Sequence, residues 1–178
     1  MARPIALITG ASSGIGELIA LRLASSGHDL VLVARRGDEL ARVAALAAAV
    51  GAASETIVAD LSQAADVAKV EARILDSARP IEILVNNAGY GRFGKITELD
   101  GAGEANEIAV NVTALTLLSR AALVAMAPRK RGGILNVASL ASFINMTNVE
   151  VPGFSCVAWL SRRCSRSISA RASSSSRR

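Results

Sequence analysis

A chain of 178 residues is one domain long and large enough to bury a core, and that core has to be aliphatic, because 51% of the residues are apolar but only 3% aromatic. The net charge of +5 misleads: residues 1–150 carry 14 basic and 15 acidic side chains, whereas residues 151–178 carry six arginines and no acid, so the body is close to neutral, which argues against nucleic acid as its partner. Cys156 and Cys164 are too few for a zinc site and read as free thiols in a reducing, cytoplasmic setting, Ile5–Ile8 is too short for a signal peptide, and no apolar run is expected to span a membrane.

Short runs rich in β-branched residues alternate with longer stretches of helical period. The first predicted strand, Pro4–Thr9, enters a glycine-rich turn and then a helix over Gly14–Ser26. A second strand, Asp29–Ala34, leads to a helix over Asp38–Val50, and a third, Glu55–Ala59, to a helix over Gln63–Ser77. The fourth strand, Ile81–Val85, precedes a long helix over Gly103–Met126, stopped by Pro128. The basic turn Arg129-Lys130-Arg131-Gly132-Gly133 then opens a fifth strand, Gly133–Val137. Asp38 and Ser62 are the expected N-caps of the second and third helices, and Gly27 and Gly51 the left-handed residues that end the first two. A β-α-β-α repeat of this kind argues for a parallel sheet with right-handed crossovers.

Gly10, Gly14 and Gly16 stand between the first strand and the first helix, within Thr9-Gly10-Ala11-Ser12-Ser13-Gly14-Ile15-Gly16. The spacing assigns Gly10 to a tight turn, Gly14 to close approach by a pyrophosphate and Gly16 to close helix–strand packing. The helix N-terminus presents unpaired N–H groups and a positive dipole to an anion. Ser12 and Ser13 add hydroxyl donors. An ordinary glycine-rich turn shares the three glycines, so the motif alone does not decide.

The octet resembles the glycine motif of the short-chain dehydrogenase/reductase family. The resemblance continues in order through Asp60-Leu61, Asn86-Asn87-Ala88-Gly89, Asn111 and Asn136-Val137-Ala138-Ser139. It implies a Rossmann-like α/β fold, a doubly wound parallel sheet left incomplete after the fifth strand, in a domain of residues 1–145. The turn with Ile15 would hold the cofactor, and Asp60 would accept a hydrogen bond from the adenine amino group with Leu61 beside the ring. Asn87, Ala88 and Gly89 would lie along the adenosine ribose. Taken alone, Asp60 reads as a capping acid and Asn87-Ala88-Gly89 as a loop with a turn glycine.

The second strand ends at Ala34-Arg35-Arg36. An acid there would bind the ribose 2′-hydroxyl of NAD, whereas arginine accommodates a 2′-phosphate. Arg35 and Arg36 therefore favour NADP(H) over NAD(H), with a solvated basic pair as the bland alternative. Asp38 stands close enough to complicate that choice.

By the same resemblance, Ser139 would bond the substrate oxygen and Asn111 would support a water relay. The family's tyrosine and the lysine four residues later would fall near Pro152-Gly153-Phe154-Ser155, where neither occurs; the only tyrosine is Tyr90 and the last lysine Lys130. The expected function is an NADP-dependent short-chain oxidoreductase moving hydride between nicotinamide and a small carbonyl or secondary alcohol, impaired by the lack of that pair. The alternative is a catalytically dead NADP(H)-binding protein. Nucleic-acid binding through the basic tail is a remote third, since Trp159 is the lone aromatic of residues 159–178.

Ser161–Arg178 holds eight serines and six arginines with no period of 2 or 3.6, so residues 146–178 are expected to form an aberrant, disordered tail of a truncated or frameshifted family member. The fifth strand would then be an exposed edge. Such an edge invites self-association or a homo-oligomer.

Overall fold

The structure is a computed structural model and describes residues 2–92, 94 and 97–138. Ser139, both cysteines and the 146–178 tail lie outside the described residues. Strand β1 (Ile5–Thr9) is flanked by β2 (Asp29–Ala34) and β4 (Ile81–Asn86), with β3 (Ser54–Val58) beyond β2 and β5 (Gly133–Asn136) beyond β4. All four pairings are parallel. Each connection must therefore cross a face of the sheet, and helices do so. These are α1 (Gly14–Ser25), α2 (Gly37–Ala48), α3 (Ala64–Leu75), α4 (Gly101–Ile108) and α5 (Leu115–Met126), with a π-helix (Ala109–Ala114) joining the last two. This is the parallel sheet that the strand–helix alternation predicts, doubly wound as the resemblance implies.

The central strands β1, β2 and β4 bury residues on both faces. Ile5 and Leu7 of β1 join Val31, Val33 and Leu84 under α3 and α5, while Ala6 and Ile8 join Leu30, Leu32 and Val85 under α1 and α2. Side chains alternate because the strand period is two. Each fully buried Leu or Ile contributes roughly 1.5–3 kcal/mol. Helix α1 presents Gly16, Ala20 and Ala24 to the sheet at intervals of four, so its backbone sits close to β1. Left-handed Gly27 (φ 91°) and Gly51 (φ 76°) follow α1 and α2, as expected of terminating glycines.

Three expectations are corrected. Helix α2 begins after Arg36 and α3 after Gln63, so Asp38 lies inside the first turn of α2 and Ser62 precedes the α3 cap. The Ser62 hydroxyl instead donates to Asp60 Oδ1 at 2.8 Å. The long helix is not uniform: it starts at Gly101, capped by the Asp100 carboxylate accepting from Gly103 N–H at 2.7 Å, and shifts to π register over Ala109–Ala114. From Gly101 to Met126 it is long and apolar enough to cross a membrane by length and composition alone, a test that the core helix of a globular protein also passes. Its Leu118, Ala121, Ala122 and Met126 are buried in the core it shares with α3 and β4.

The chain runs outward from β1 to β3, then returns to the far side of β1 as β4. That reversal places a crevice at the carboxyl ends of β1 and β4, where open α/β sheets bind ligands.

Candidate cofactor site

The turn after β1 is shaped by two kinds of glycine. Gly10 (φ 68°) and Gly14 (φ 58°) are left-handed, a backbone other residues adopt at a cost. A Cβ at Gly10 would lie 2.8 Å from Asn87 Nδ2 and 2.9 Å from Ala88 Cα, and one at Gly16 would strike the Gly10 carbonyl. Around Gly14 a Cβ would meet nothing within 4 Å. Gly10 and Gly16 therefore let β1, α1 and the loop after β4 close together, and Gly14 faces open space.

Behind that space is the N-terminus of α1. Its cap residue, Ser13, is extended and its hydroxyl makes no capping bond, so the first-turn N–H groups keep their capacity for an anion. Glu17, in the same turn, would oppose a phosphate. Both its carboxylate oxygens accept from Arg42, at 2.9 and 2.8 Å. That bond holds the Glu17 carboxyl below the ordinary carboxylate range and the Arg42 guanidinium above its own, and it offsets the local negative charge.

Arg36 reaches over the turn. Its Nη2 donates to Ser12 Oγ at 3.2 Å and Ser13 Oγ at 2.9 Å. Arg35, Ser13 and Ile15 are exposed, whereas Ser12 is buried. Arg36 is exposed as well, and its guanidinium is bonded beside the helix N-terminus.

The loop after β4 is bolted to the loop after β1. The Thr9 hydroxyl accepts from Asn87 N–H and Ala88 N–H, each at 3.0 Å, and Asn87 Nδ2 donates to the carbonyls of Thr9 (3.1 Å) and Gly10 (3.3 Å). Asp60 is half-buried; its Oδ1 accepts from Ser62 N–H and hydroxyl, while its N–H donates to Asp66 Oδ2. The Lys69 ammonium beside Asp66, with that Asp60 N–H, lowers the Asp66 carboxyl below the usual range. Leu61 is buried in the core with Val31, Val33 and Val67.

Asn111 lies in the π-helix, 3% exposed. Its Oδ1 accepts from Tyr90 N–H at 3.2 Å and its Nδ2 donates to the Tyr90 carbonyl at 2.7 Å. A Cβ on Gly89 would lie 3.0 Å from that Oδ1. The Asn111 side chain is thus committed to the loop that continues Asn87-Ala88-Gly89, and single-turn π segments recur at functional sites. Ser139, the other expected catalytic residue, lies outside the described residues.

Several residues that organise this region stand in the motifs without a role that the sequence assigns. Thr9 is one, though it opens the glycine octet. Asn136 is another: its Oδ1 accepts from Asn86 Nδ2 at 2.9 Å, and the same Nδ2 donates to Ser119 Oγ at 2.9 Å. The pair sits in register across β4 and β5. A buried polar residue in each of two neighbouring apolar strands was the available signal.

The chain matches the short chain dehydrogenase family profile over residues 4–155. It belongs to the short-chain dehydrogenase family. It is 34% identical over 145 residues to a sepiapterin reductase from Chlorobaculum tepidum, an alignment covering 78% of this chain and 59% of that one. Among solved structures, a short-chain dehydrogenase from Sphingobium yanoikuyae in complex with NADPH superposes with a TM-score of 0.76 at 45% identity, over 79% of this chain and 55% of that one. A metagenomic short-chain oxidoreductase in complex with NADP gives 0.76 at 38% identity, over 82% and 66%. This short-chain dehydrogenase chain spans between 55% and 66% of the length of those three relatives. Membership makes the chain's family one of oxidoreductases that use a nicotinamide cofactor, and the uncapped α1 terminus beside Gly14 suits a dinucleotide diphosphate.

Proposed function

We propose that this chain binds NADP(H) at the turn after β1, in preference to NAD(H). The observation that carries the reading is Arg36, held by Ser12 and Ser13 at the mouth of the α1 N-terminus. A guanidinium so placed can pair with a 2′-phosphate through charge-assisted bonds, and the 2′-hydroxyl of NAD offers no such charge. Two relatives solved with NADPH or NADP support the choice. The α1 N–H groups and Ser12 would hold the diphosphate, Arg36 with Arg35 the 2′-phosphate, and Asn87, Ala88 and Gly89 the ribose. Asp60, steadied by Ser62 through Oδ1, keeps Oδ2 for the adenine amino group.

Titration of the full chain with NADPH and NADH, followed by nicotinamide fluorescence, tests this. Arg36→Ala is expected to weaken NADPH binding about tenfold or more and to leave NADH binding nearly unchanged, the size of a lost hydrogen bond to a charged group. Wild-type protein that prefers NADH would overturn the reading.

Bound nicotinamide would exchange hydride with the carbon of a small carbonyl or secondary alcohol, and that reaction belongs to the whole protein. In this chain, Asn111 holds the loop beside the reacting centre and Ser139 is the candidate for the substrate oxygen. The residues after Ser139 contain neither tyrosine nor lysine, so no phenol with a neighbouring cation is available to move the proton. The chain is therefore expected to bind NADPH while consuming none of it with a panel of aldehydes and ketones. Rapid NADPH oxidation with any of them would contradict that expectation. The boundary between a domain of residues 1–145 and a tail of residues 146–178 belongs to the same reading.

Self-association through β5 is part of this proposal too. Among the described residues β5 pairs on one side only, and its Leu135 is exposed. Sedimentation is expected to find associated species, and a monodisperse monomer would exclude that edge as an interface.

A further inference from the structure

We propose that Glu107 is a positioning residue for the cofactor, holding residues 89–92 against the helix that follows them; this rests on the NADP(H) reading above. Glu107 is a buried acid, only 2% exposed. Its Oε2 accepts from Arg92 N–H at 3.1 Å, and its Oε1 is buried with no hydrogen-bond partner among the described residues. A buried carboxylate with one idle oxygen lowers stability rather than raising it. Packing gives no reason for an acid here, so the reason has to be sought in what its bonded oxygen holds.

That oxygen is the middle of three fastenings along one helix face. Gly103, Glu107 and Asn111 follow one another at intervals of four, the spacing that aligns residues on a helix. At Gly103 the missing side chain makes room for the Arg92 guanidinium, whose Nη1 donates to the Asp100 carbonyl at 3.2 Å and Nη2 to its carboxylate at 2.6 Å. Asn111 grips Tyr90 through both backbone groups. Between them, Glu107 takes the Arg92 N–H. The strap so held is the direct continuation of Asn87-Ala88-Gly89, and its other end is bolted to Thr9. Glu107 therefore acts through the backbone: it sets where Gly89 lies, and so how the loop meets the ribose.

Two variants separate this from a merely structural role. Glu107→Leu removes the acceptor along with the idle oxygen, while Glu107→Gln keeps an acceptor for Arg92 N–H. For Glu107→Leu we expect hydrogen exchange at the Arg92 amide to quicken about tenfold, the scale of one lost hydrogen bond. NADPH binding should weaken several-fold without a fall in melting temperature, and Glu107→Gln should restore wild-type binding. Unchanged exchange and unchanged binding in Glu107→Leu would overturn the proposal. So would a fall in melting temperature and binding together that glutamine fails to rescue. Wild-type protein that binds no NADPH would remove the cofactor reading itself and the positioning role with it, and the exchange rates would still tell whether the strap is fastened.

Discussion

The two sides of the crevice between β1 and β4 are built from different materials. On one side, the turn from Thr9 to Gly16 works through backbone: two left-handed glycines, two positions where any Cβ would collide, and a helix N-terminus left uncapped. On the other, the segment from Tyr90 through α4 and the π-helix works through polar side chains, the buried Asn111 and Glu107 and the exposed Asp100, each reaching a backbone group. At Gly10 and Gly16 the first side tolerates no added atoms, and the second tolerates no lost partners. Substitutions that add a methyl group and substitutions that delete a hydrogen bond should therefore act on opposite walls.

The sharpest contrast lies at the glycines. Gly16→Val would drive a branched side chain into the Gly10 carbonyl, and overpacking of this kind costs about 1–3 kcal/mol or more where backbone is struck. Denaturant unfolding is expected to show the largest loss in this set and NADPH binding to vanish; full stability in that variant would contradict the close approach of α1 to β1. Gly14→Ala, where space is open, should cost only the roughly 1–2 kcal/mol of a left-handed alanine. On the opposite wall, Asn136→Ala leaves Asn86 Nδ2 with Ser119 as its remaining partner, at a cost of about 1–2 kcal/mol. A double variant with Asn86→Ala should cost less than the two single changes summed, which a thermodynamic cycle reads directly. Strict additivity would mean that the pair is not coupled.

The smallest effect concerns Asp100. The Gly103 N–H first, then the Arg92 guanidinium, hold its carboxyl below the usual range. Because the folded-state value is the lower one, this stabilisation is complete at neutral pH and is lost as pH falls from about 4 through the folded-state value. Asp100→Ala should therefore lower the melting temperature slightly at neutral pH and make no difference in strong acid. An equal difference at both pH values would show that the cap does not depend on the charge.

The same division explains what could be read in advance. The strands, the crossovers and the glycine turn were legible because each follows from a local period or from spacing that leaves few alternatives. Thr9 through Gly16 declares its turn in eight consecutive residues. The break of one long helix into α4, a π-helix and α5 has no glycine or proline within Ala109–Ala114 to announce it, and it accompanies the tertiary contacts of Asn111. The capping role of Asp100 was obscured by two glycines just after it, which read as a helix not yet begun. Asp38 and Ser62 are good capping residues in isolation, but the adjoining strands fix where α2 and α3 start. The pairing of Arg35 and Arg36 is visible in sequence, whereas the choice between them depends on which one leaves β2 on the side of Ser12 and Ser13. Glu107 looks like any surface acid of an amphipathic helix until the strap above it is placed.

The bolt between Thr9 and Asn87 also sets a schedule. Seventy-eight residues separate the Asn87 amide from the Thr9 hydroxyl that receives it. At a synthesis rate of about 5–20 residues per second, roughly 4–16 seconds pass between the two leaving the ribosome's catalytic centre. Throughout that interval a nascent chain carrying the whole glycine octet still lacks one wall of the crevice. A ligand of that crevice can thus stabilise this chain only late in translation, after the fourth strand has emerged.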